Sequence, residues 1–196
     1  MKPLYWLGGL VMAILVLCLV LIRSGAYNVA ADAPHWALTR AVVEKVRTAS
    51  VERRSASIEV PPLGDAALVS SGAGNYDAMC AGCHLKPGTA ATEMSRGLYP
   101  APPSFLSRPL ADPAAAFWII KHGIKMSGMP AWGNSMHDEY IWGLVAFLNE
   151  LPDMSVDRYR ELVEASGGHQ HGGSESDMEA DAPADDDHSK APPHQH

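Results

Sequence analysis

Apolar side chains recur at helical spacing along most of this chain. Between residues 69 and 80 they fall at i, i+3, i+4, i+7 and i+11, which places them on one face of a helix. Between residues 141 and 148 they fall at i, i+3, i+4 and i+7. No segment shows the alternation of a strand. The pattern therefore predicts an all-α fold with helices over residues 34–49, about 65–80, 113–122, 138–151 and 155–165.

Proline, glycine and capping residues mark the ends of these helices. Asp112 is a favoured N-cap, Pro113 is a favoured first residue, and Gly123 is suited to end the same helix. Pro34 likewise suits the first position of the first predicted helix. Residues 86–110 contain five prolines, which predict an extended loop because proline interrupts helices and central strands.

The amino-terminal part of the chain carries a long apolar run. Residues 4–22 contain no charge and would span about 28 Å as a helix, close to the roughly 30 Å core of a bilayer. A cleaved signal peptide is the alternative, with the small residues 24–26 as a cleavage site. The apolar segment of a signal peptide is usually about 7–15 residues, however, and this run is longer. We therefore predict a retained single-pass transmembrane helix.

Charge is distributed unevenly along the chain. The 15 basic and 22 acidic residues give a net charge of −7. Residues 167–196 hold seven acidic residues and one basic residue, a net of −6, so the rest of the chain carries only −1. A nucleic-acid-binding protein would carry a basic stripe, and this chain has none. The same 30 residues are nearly devoid of apolar side chains, which predicts a disordered tail.

The tail also contains five of the nine histidines. Imidazoles mixed with carboxylates are ligands for Cu, Ni or Zn, so the tail is a candidate second metal site. The alternative is a solvated tail with weak and unspecific metal affinity, because no fixed geometry is visible. The candidate ligands are His169, His171, His188, His194 and His196.

The strongest chemical motif lies at the end of the helix predicted over 65–80. Cys80, Cys83 and His84 form the pattern C-x-x-C-H, the attachment signature of c-type haem. Both thiols can add to the vinyl groups at one porphyrin edge, and the adjacent imidazole can bind the iron. A thioredoxin-like site would need a βαβ context, and a zinc site would need about four ligands. The motif therefore predicts one covalent haem c.

A second axial ligand is expected in the loop 124–136. Met126 and Met129 are the thioether candidates, and His122 and His137 flank the loop. A thioether favours ferrous iron and raises the reduction potential relative to a second imidazole. Met129 is the favoured ligand because Gly-Met-Pro framing would let the backbone approach the ring and would stiffen the loop.

Residues from about 65 to 151 resemble class I c-type cytochromes, specifically the single-haem domains attached to bacterial oxidases and dehydrogenases. The resemblance rests on the run from Gly72 through Tyr76 to the haem motif, on the loop 128–132 and on the aromatic-bearing helix 141–148. It implies that Gly72 packs against Phe147 and that a loop carbonyl accepts the ring N–H of the haem-binding histidine. The sequence leaves that carbonyl unassigned.

The wider run from residue 27 to residue 159 looks like a subgroup of membrane-anchored proteobacterial cytochromes. Maturation of haem c in that family implies a bacterial inner-membrane anchor with the soluble part in the periplasm. The expected organisation is a transmembrane anchor over 4–22, a periplasmic connector with a helix over 23–64, a class I cytochrome c domain around one haem over 65–166, and a disordered tail over 167–196.

The expected function is transfer of single electrons between respiratory partners, without catalysis of its own. The donor would be a membrane dehydrogenase or quinol-oxidising complex, and the acceptor an oxidase or a soluble cytochrome; the chain could also be a subunit of a larger oxidoreductase. One alternative is a haem enzyme or gas sensor with an open sixth site. Another is a metal-binding protein that acts through its histidine-rich tail.

Overall fold

The computed structural model describes residues 2–170 and the side chains from residue 5 onward. All regular structure in this range is helical, as the periodicity predicts. The chain divides into two compact units, Met1–Lys45 and Val46–His196. The second unit includes residues 46–64, which the sequence analysis assigns to the connector. The tail residues 171–196 lie outside the described residues, so their predicted disorder stays a prediction.

The first helix, α1 (Lys2–Ser24), contains the apolar run. Its segment Tyr5–Ser24 has a mean hydropathy of 2.6 and is long and apolar enough to cross a membrane. None of this segment is buried within the protein. The helix is therefore a candidate membrane anchor; a signal sequence near the amino terminus can also be long and apolar enough to meet this description.

Helix α2 (Ala37–Ser55) differs from its prediction at both ends. Pro34 does not take the first helical position. A turn closes first, in which the Ala33 N–H donates to the Ala30 carbonyl at 3.2 Å, and the helical hydrogen bonds begin with Arg40 N–H on the Trp36 carbonyl. The helix then continues six residues beyond the predicted end.

The core of the second unit forms where α3 (Ala66–Met79) crosses α7 (Asp138–Glu150). The two helices approach so closely that a Cβ on Gly72 would meet the Gly143 carbonyl oxygen at 1.9 Å. The same Cβ would lie 2.9 Å from the Cβ of Phe147, which confirms the packing of Gly72 against this aromatic residue. Phe147 in turn contacts the ring of Tyr76, with centroids 5.3 Å apart.

Helix α4 (Ala81–His84) follows α3 after Cys80, and α5 (Glu93–Gly97) lies in the segment that the prolines predict as a loop. This short helix is a correction to that prediction. Thr92 explains it: the hydroxyl accepts the Ser95 N–H at 2.9 Å as an N-cap and donates to the Gly82 carbonyl at 2.6 Å.

Helix α6 (Pro113–His122) begins and ends as predicted. The Asp112 carboxylate accepts the backbone N–H groups of Ala114 and Ala115, and Gly123 follows the helix with φ 63°. A 3₁₀ turn (Trp132–Asn134) leads into α7, and α8 (Val156–Ala165) packs Tyr159 and Leu162 into the core.

Candidate functional site

The end of α3 and the single turn of α4 bring the C-x-x-C-H side chains together. The Cys80 N–H continues the helical pattern by donating to the Tyr76 carbonyl, and the His84 N–H donates to the Cys80 carbonyl at 2.8 Å. Both thiols are free and partly buried. Burial, with a smaller contribution from the neighbouring Cys83, raises the pKa of Cys80 to about 12. Two unpaired thiols and one imidazole therefore lie within five residues, at the end of α3 and in the single turn of α4.

The imidazole of His84 is fixed by a backbone acceptor from a distant loop. Its Nδ1 lies 2.8 Å from the carbonyl oxygen of Pro103. A carbonyl can only accept, so Nδ1 carries the proton and Nε2 keeps its lone pair. Burial lowers the pKa of His84, and the hydrogen bond to Pro103 opposes this effect in part. The result is a neutral, oriented imidazole whose free nitrogen can bind a metal.

Residues on both sides of this turn are tied to each other. The Tyr76 hydroxyl donates to the Leu85 carbonyl at 2.7 Å. Asp77 and Lys86, which follow Tyr76 and Leu85 in the sequence, form an ion pair with Lys86 Nζ 2.7 Å from Asp77 Oδ1. The same Asp77 oxygen accepts the Tyr159 hydroxyl at 2.9 Å, which connects the turn to α8. Burial raises the pKa of both tyrosines above the ordinary value, so their hydroxyls are protonated donors.

The loop 124–136 holds Met129 against the core. This side chain is partly buried and packs on the buried cluster. Its backbone N–H donates to Ser127 Oγ at 3.2 Å, and its carbonyl accepts the Ile124 N–H at 3.2 Å. Gly128 lies against Leu98, and a Cβ at this position would be 2.5 Å from Leu98 Cδ2, so the leucine side chain would have to move to admit one.

The other candidate axial ligands lie on the surface. Met126 is fully exposed and has a positive φ of 58°. His122 is exposed and contacts the ring of Trp118, with centroids 5.0 Å apart. His137 is exposed at the N-cap of α7.

These residues fit a haem. The donor set contains two free thiols, an imidazole with an available Nε2 and a partly buried thioether, which are the groups that hold haem c. Partly buried apolar side chains pack on the core at the loops that carry Pro103 and Met129, and would supply an apolar surface for a porphyrin. They are Phe105, Leu106, Leu110 and Trp132.

Of the five tail histidines, the structure describes only His169, so the candidate second metal site stays a prediction. The other four lie outside the described range: His171, His188, His194 and His196. Within residues 2–170 no group of three or more His, Cys, Asp or Glu side chains is placed to hold a metal ion.

Two contributors to the site were not assigned from the sequence: the Pro103 carbonyl and the Tyr76 hydroxyl. The resemblance implies a loop carbonyl, but several prolines share that loop and only the path of the backbone selects one. Tyr76 is recognisable as a core position from helical spacing. Nothing in that spacing indicates a partner for its hydroxyl.

Comparison with known proteins gives one family. Residues 67–148 match the family model described as cytochrome C oxidase, cbb3-type, subunit III. The match contains the Cys80–His84 turn, the Pro103 carbonyl and Met129. Neither the curated proteins nor the solved structures give a match to this chain.

Proposed function

Residues 67–148 form a class I c-type cytochrome haem domain, and on that premise we propose that the chain is a membrane-anchored periplasmic carrier of single electrons with one haem c. The family match carries this proposal, together with the two free thiols and the oriented His84 imidazole on one helical turn. When bound, haem c supplies a one-electron ferric/ferrous couple. The family implies covalent haem c and redox protein partners in respiratory chains.

Each residue of the site has a defined task in this proposal. Cys80 and Cys83 would hold the haem through thioethers, and His84 Nε2 would bind the iron. The Pro103 carbonyl keeps the imidazole in the required tautomer and orientation. Met129 would be the second side chain to bind the iron and would exclude water from it. With the iron held by two side chains, the site would transfer electrons without binding a substrate, which favours a carrier over an enzyme.

Burial supports Met129 over the other candidate side chains as the second ligand of the iron. Met129 packs on the core, whereas Met126 is fully exposed and His122 and His137 face solvent. An exposed side chain would have to move inward with its loop to reach an iron bound by the half-buried His84. Met129 is already held on the inner side by two backbone hydrogen bonds.

Separate substitutions of the two methionines in the full-length holoprotein test whether Met129 is the iron ligand. Met129→Ala is expected to lower the reduction potential, remove the far-red ferric band typical of methionine ligation and let reduced haem bind carbon monoxide. Met126→Leu is the matched control and should leave all three properties unchanged. If Met126→Leu loses the band and Met129→Ala keeps it, Met126 is the ligand. If the reduced wild type binds carbon monoxide, an enzyme or gas sensor with an open sixth site is favoured instead.

The proposed location places α1 in the bacterial inner membrane and the haem domain in the periplasm. It rests on the apolar character of α1 and on haem attachment outside the inner membrane in this family. The donor would be a membrane dehydrogenase or quinol-oxidising complex, and the acceptor an oxidase or soluble cytochrome. Alkaline phosphatase fused after residue 165 should be active, and the holoprotein should resist carbonate extraction from membranes. Recovery of the holoprotein mainly in the soluble periplasm would show that α1 is cleaved or does not anchor the chain.

A further inference from the structure

We propose that Tyr76 is a positioning residue for the His84 imidazole and acts by holding Leu85 in a backbone conformation that leucine rarely adopts. The inference rests on the proposed role of His84 as a haem ligand. It adds a residue whose effect on the imidazole passes through the main chain at Leu85.

The main chain leaves the haem-binding turn in a strained conformation. Leu85 has φ 68° and ψ 163°, a region that is essentially restricted to glycine. Such a conformation costs free energy and persists only where the surrounding structure holds it. Both backbone polar groups of Leu85 are held: its N–H donates to the Ala81 carbonyl at 3.0 Å, and its carbonyl accepts the Tyr76 hydroxyl at 2.7 Å.

The surrounding core holds the Tyr76 side chain in place, so that its hydroxyl can fix the Leu85 carbonyl. This side chain is 1% exposed, in the crossing of α3 and α7, with its ring against Phe147. Packing alone would be satisfied by a phenylalanine of nearly the same shape. The hydroxyl is therefore explained by its hydrogen bond to Leu85, the residue that directly follows His84.

The direction of an imidazole depends on the backbone on both sides of its Cα. Before His84 the backbone is fixed by the helical hydrogen bonds of α4, and after it by the bond between Tyr76 and Leu85. If Leu85 relaxed to an ordinary φ, the chain after His84 would turn, and the ring would move relative to the Pro103 carbonyl. The hydroxyl of Tyr76 thus preserves the geometry of the His84–Pro103 hydrogen bond.

The chain offers a matched control for loss of this hydroxyl. Tyr159 is also buried, contacts Phe147, and donates its hydroxyl to Asp77 at 2.9 Å. Tyr76→Phe and Tyr159→Phe therefore each remove one buried hydroxyl and one hydrogen bond while retaining the ring. A loss of stability alone would be comparable in the two variants. Only Tyr76→Phe releases the residue next to His84.

The test uses the ferric full-length holoprotein in detergent and two readouts of the axial imidazole: the pattern of haem methyl shifts in proton NMR and the reduction potential. Tyr76→Phe should change both, and Tyr159→Phe should leave both at their wild-type values. Leu85→Gly should retain the wild-type pattern because glycine accepts φ 68° without strain. The double variant Tyr76→Phe/Leu85→Gly should return towards that pattern, because no strain then remains to drive relaxation.

The outcomes separate this proposal from the proposed function. A wild type without the spectrum of a histidine-bound haem refutes both. With a histidine-bound wild type, the positioning role alone is refuted if Tyr76→Phe leaves the NMR pattern unchanged, if Tyr159→Phe changes it equally, or if the double variant Tyr76→Phe/Leu85→Gly fails to return towards the wild-type pattern. Should Tyr76→Phe yield too little holoprotein, the double variant decides: recovery of the holoprotein with the wild-type pattern supports the proposal, and failure to recover it or an altered pattern overturns it.

Discussion

A methyl group at position 72 would collide with the backbone of the helix that crosses it. In Gly72→Ala the new Cβ would lie 1.9 Å from the Gly143 carbonyl oxygen, 2.4 Å from its carbonyl carbon and 2.9 Å from Phe147 Cβ. Contacts of a Cβ below 3.0 Å are essentially never observed, so α3 and α7 must separate by at least about 1.1 Å at this point. The obstruction is backbone, and no side-chain rotation can relieve it.

The expected loss of stability follows from two opposing effects. Alanine gains about 1 kcal/mol over glycine in a helix interior. Overpacking costs about 1–3 kcal/mol. The upper end applies here, because separating α3 and α7 by roughly 1 Å also loses a quarter to a half of the dispersion energy of each contact between them. The net loss is about 2 kcal/mol, which corresponds to a fall in Tm of about 8–16 °C for a domain of this size.

Denaturant unfolding of the full-length holoprotein, followed by helical circular dichroism, measures this loss against two controls. A Cβ on Gly143 would lie 3.2 Å from the Leu68 carbonyl oxygen, a tight contact that needs a shift of only a few tenths of an ångström, so Gly143→Ala should cost much less stability than Gly72→Ala. A Cβ on Gly97 would have nothing within 4 Å, so Gly97→Ala should not destabilise the domain. If Gly72→Ala unfolds at the same denaturant concentration as Gly97→Ala, the two helices do not meet at this glycine.

Three further predictions concern attachment, capping and the tail. Replacing both Cys80 and Cys83 with alanine should release the haem on acid–acetone extraction, whereas haem retained by the protein would refute thioether attachment. Asp112→Ala removes the acceptor of two backbone N–H groups and should cost about 1 kcal/mol in denaturant unfolding, with an unchanged visible spectrum. Deleting residues 171–196 should leave haem reduction by the donor unchanged; loss of Cu, Ni or Zn tolerance with normal reduction would favour a metal-binding role for the tail.

The elements that the sequence predicts well are those specified by neighbouring residues. Helix α6 begins at Pro113 and is followed by Gly123, as predicted, because its N-cap, first residue and terminating glycine each act within one turn. The haem-binding turn is predictable for the same reason, since its three chemical groups lie within five residues.

The features that escaped prediction depend on contacts between distant residues. Helix α5 forms inside a proline-rich segment because Thr92 both caps it and bonds the Gly82 carbonyl ten residues earlier. The assignment of Met129 over Met126 as the iron ligand stays a prediction. Spacing alone places both methionines in the same loop, and only the flanking glycine and proline favour Met129. The burial of Met129, which supports the same ligand, depends on how the loop meets the core.

The bond between His84 and Pro103 has an evolutionary consequence, because its acceptor belongs to the main chain. Every residue type presents the same carbonyl, so substitution at position 103 need not remove the acceptor, and a column-by-column alignment would not register its importance. Insertions and deletions in the loop are different, since they change which carbonyl faces the imidazole. Selection on this contact would therefore be visible as a constraint on loop length and path, and only weakly as a constraint on residue identity.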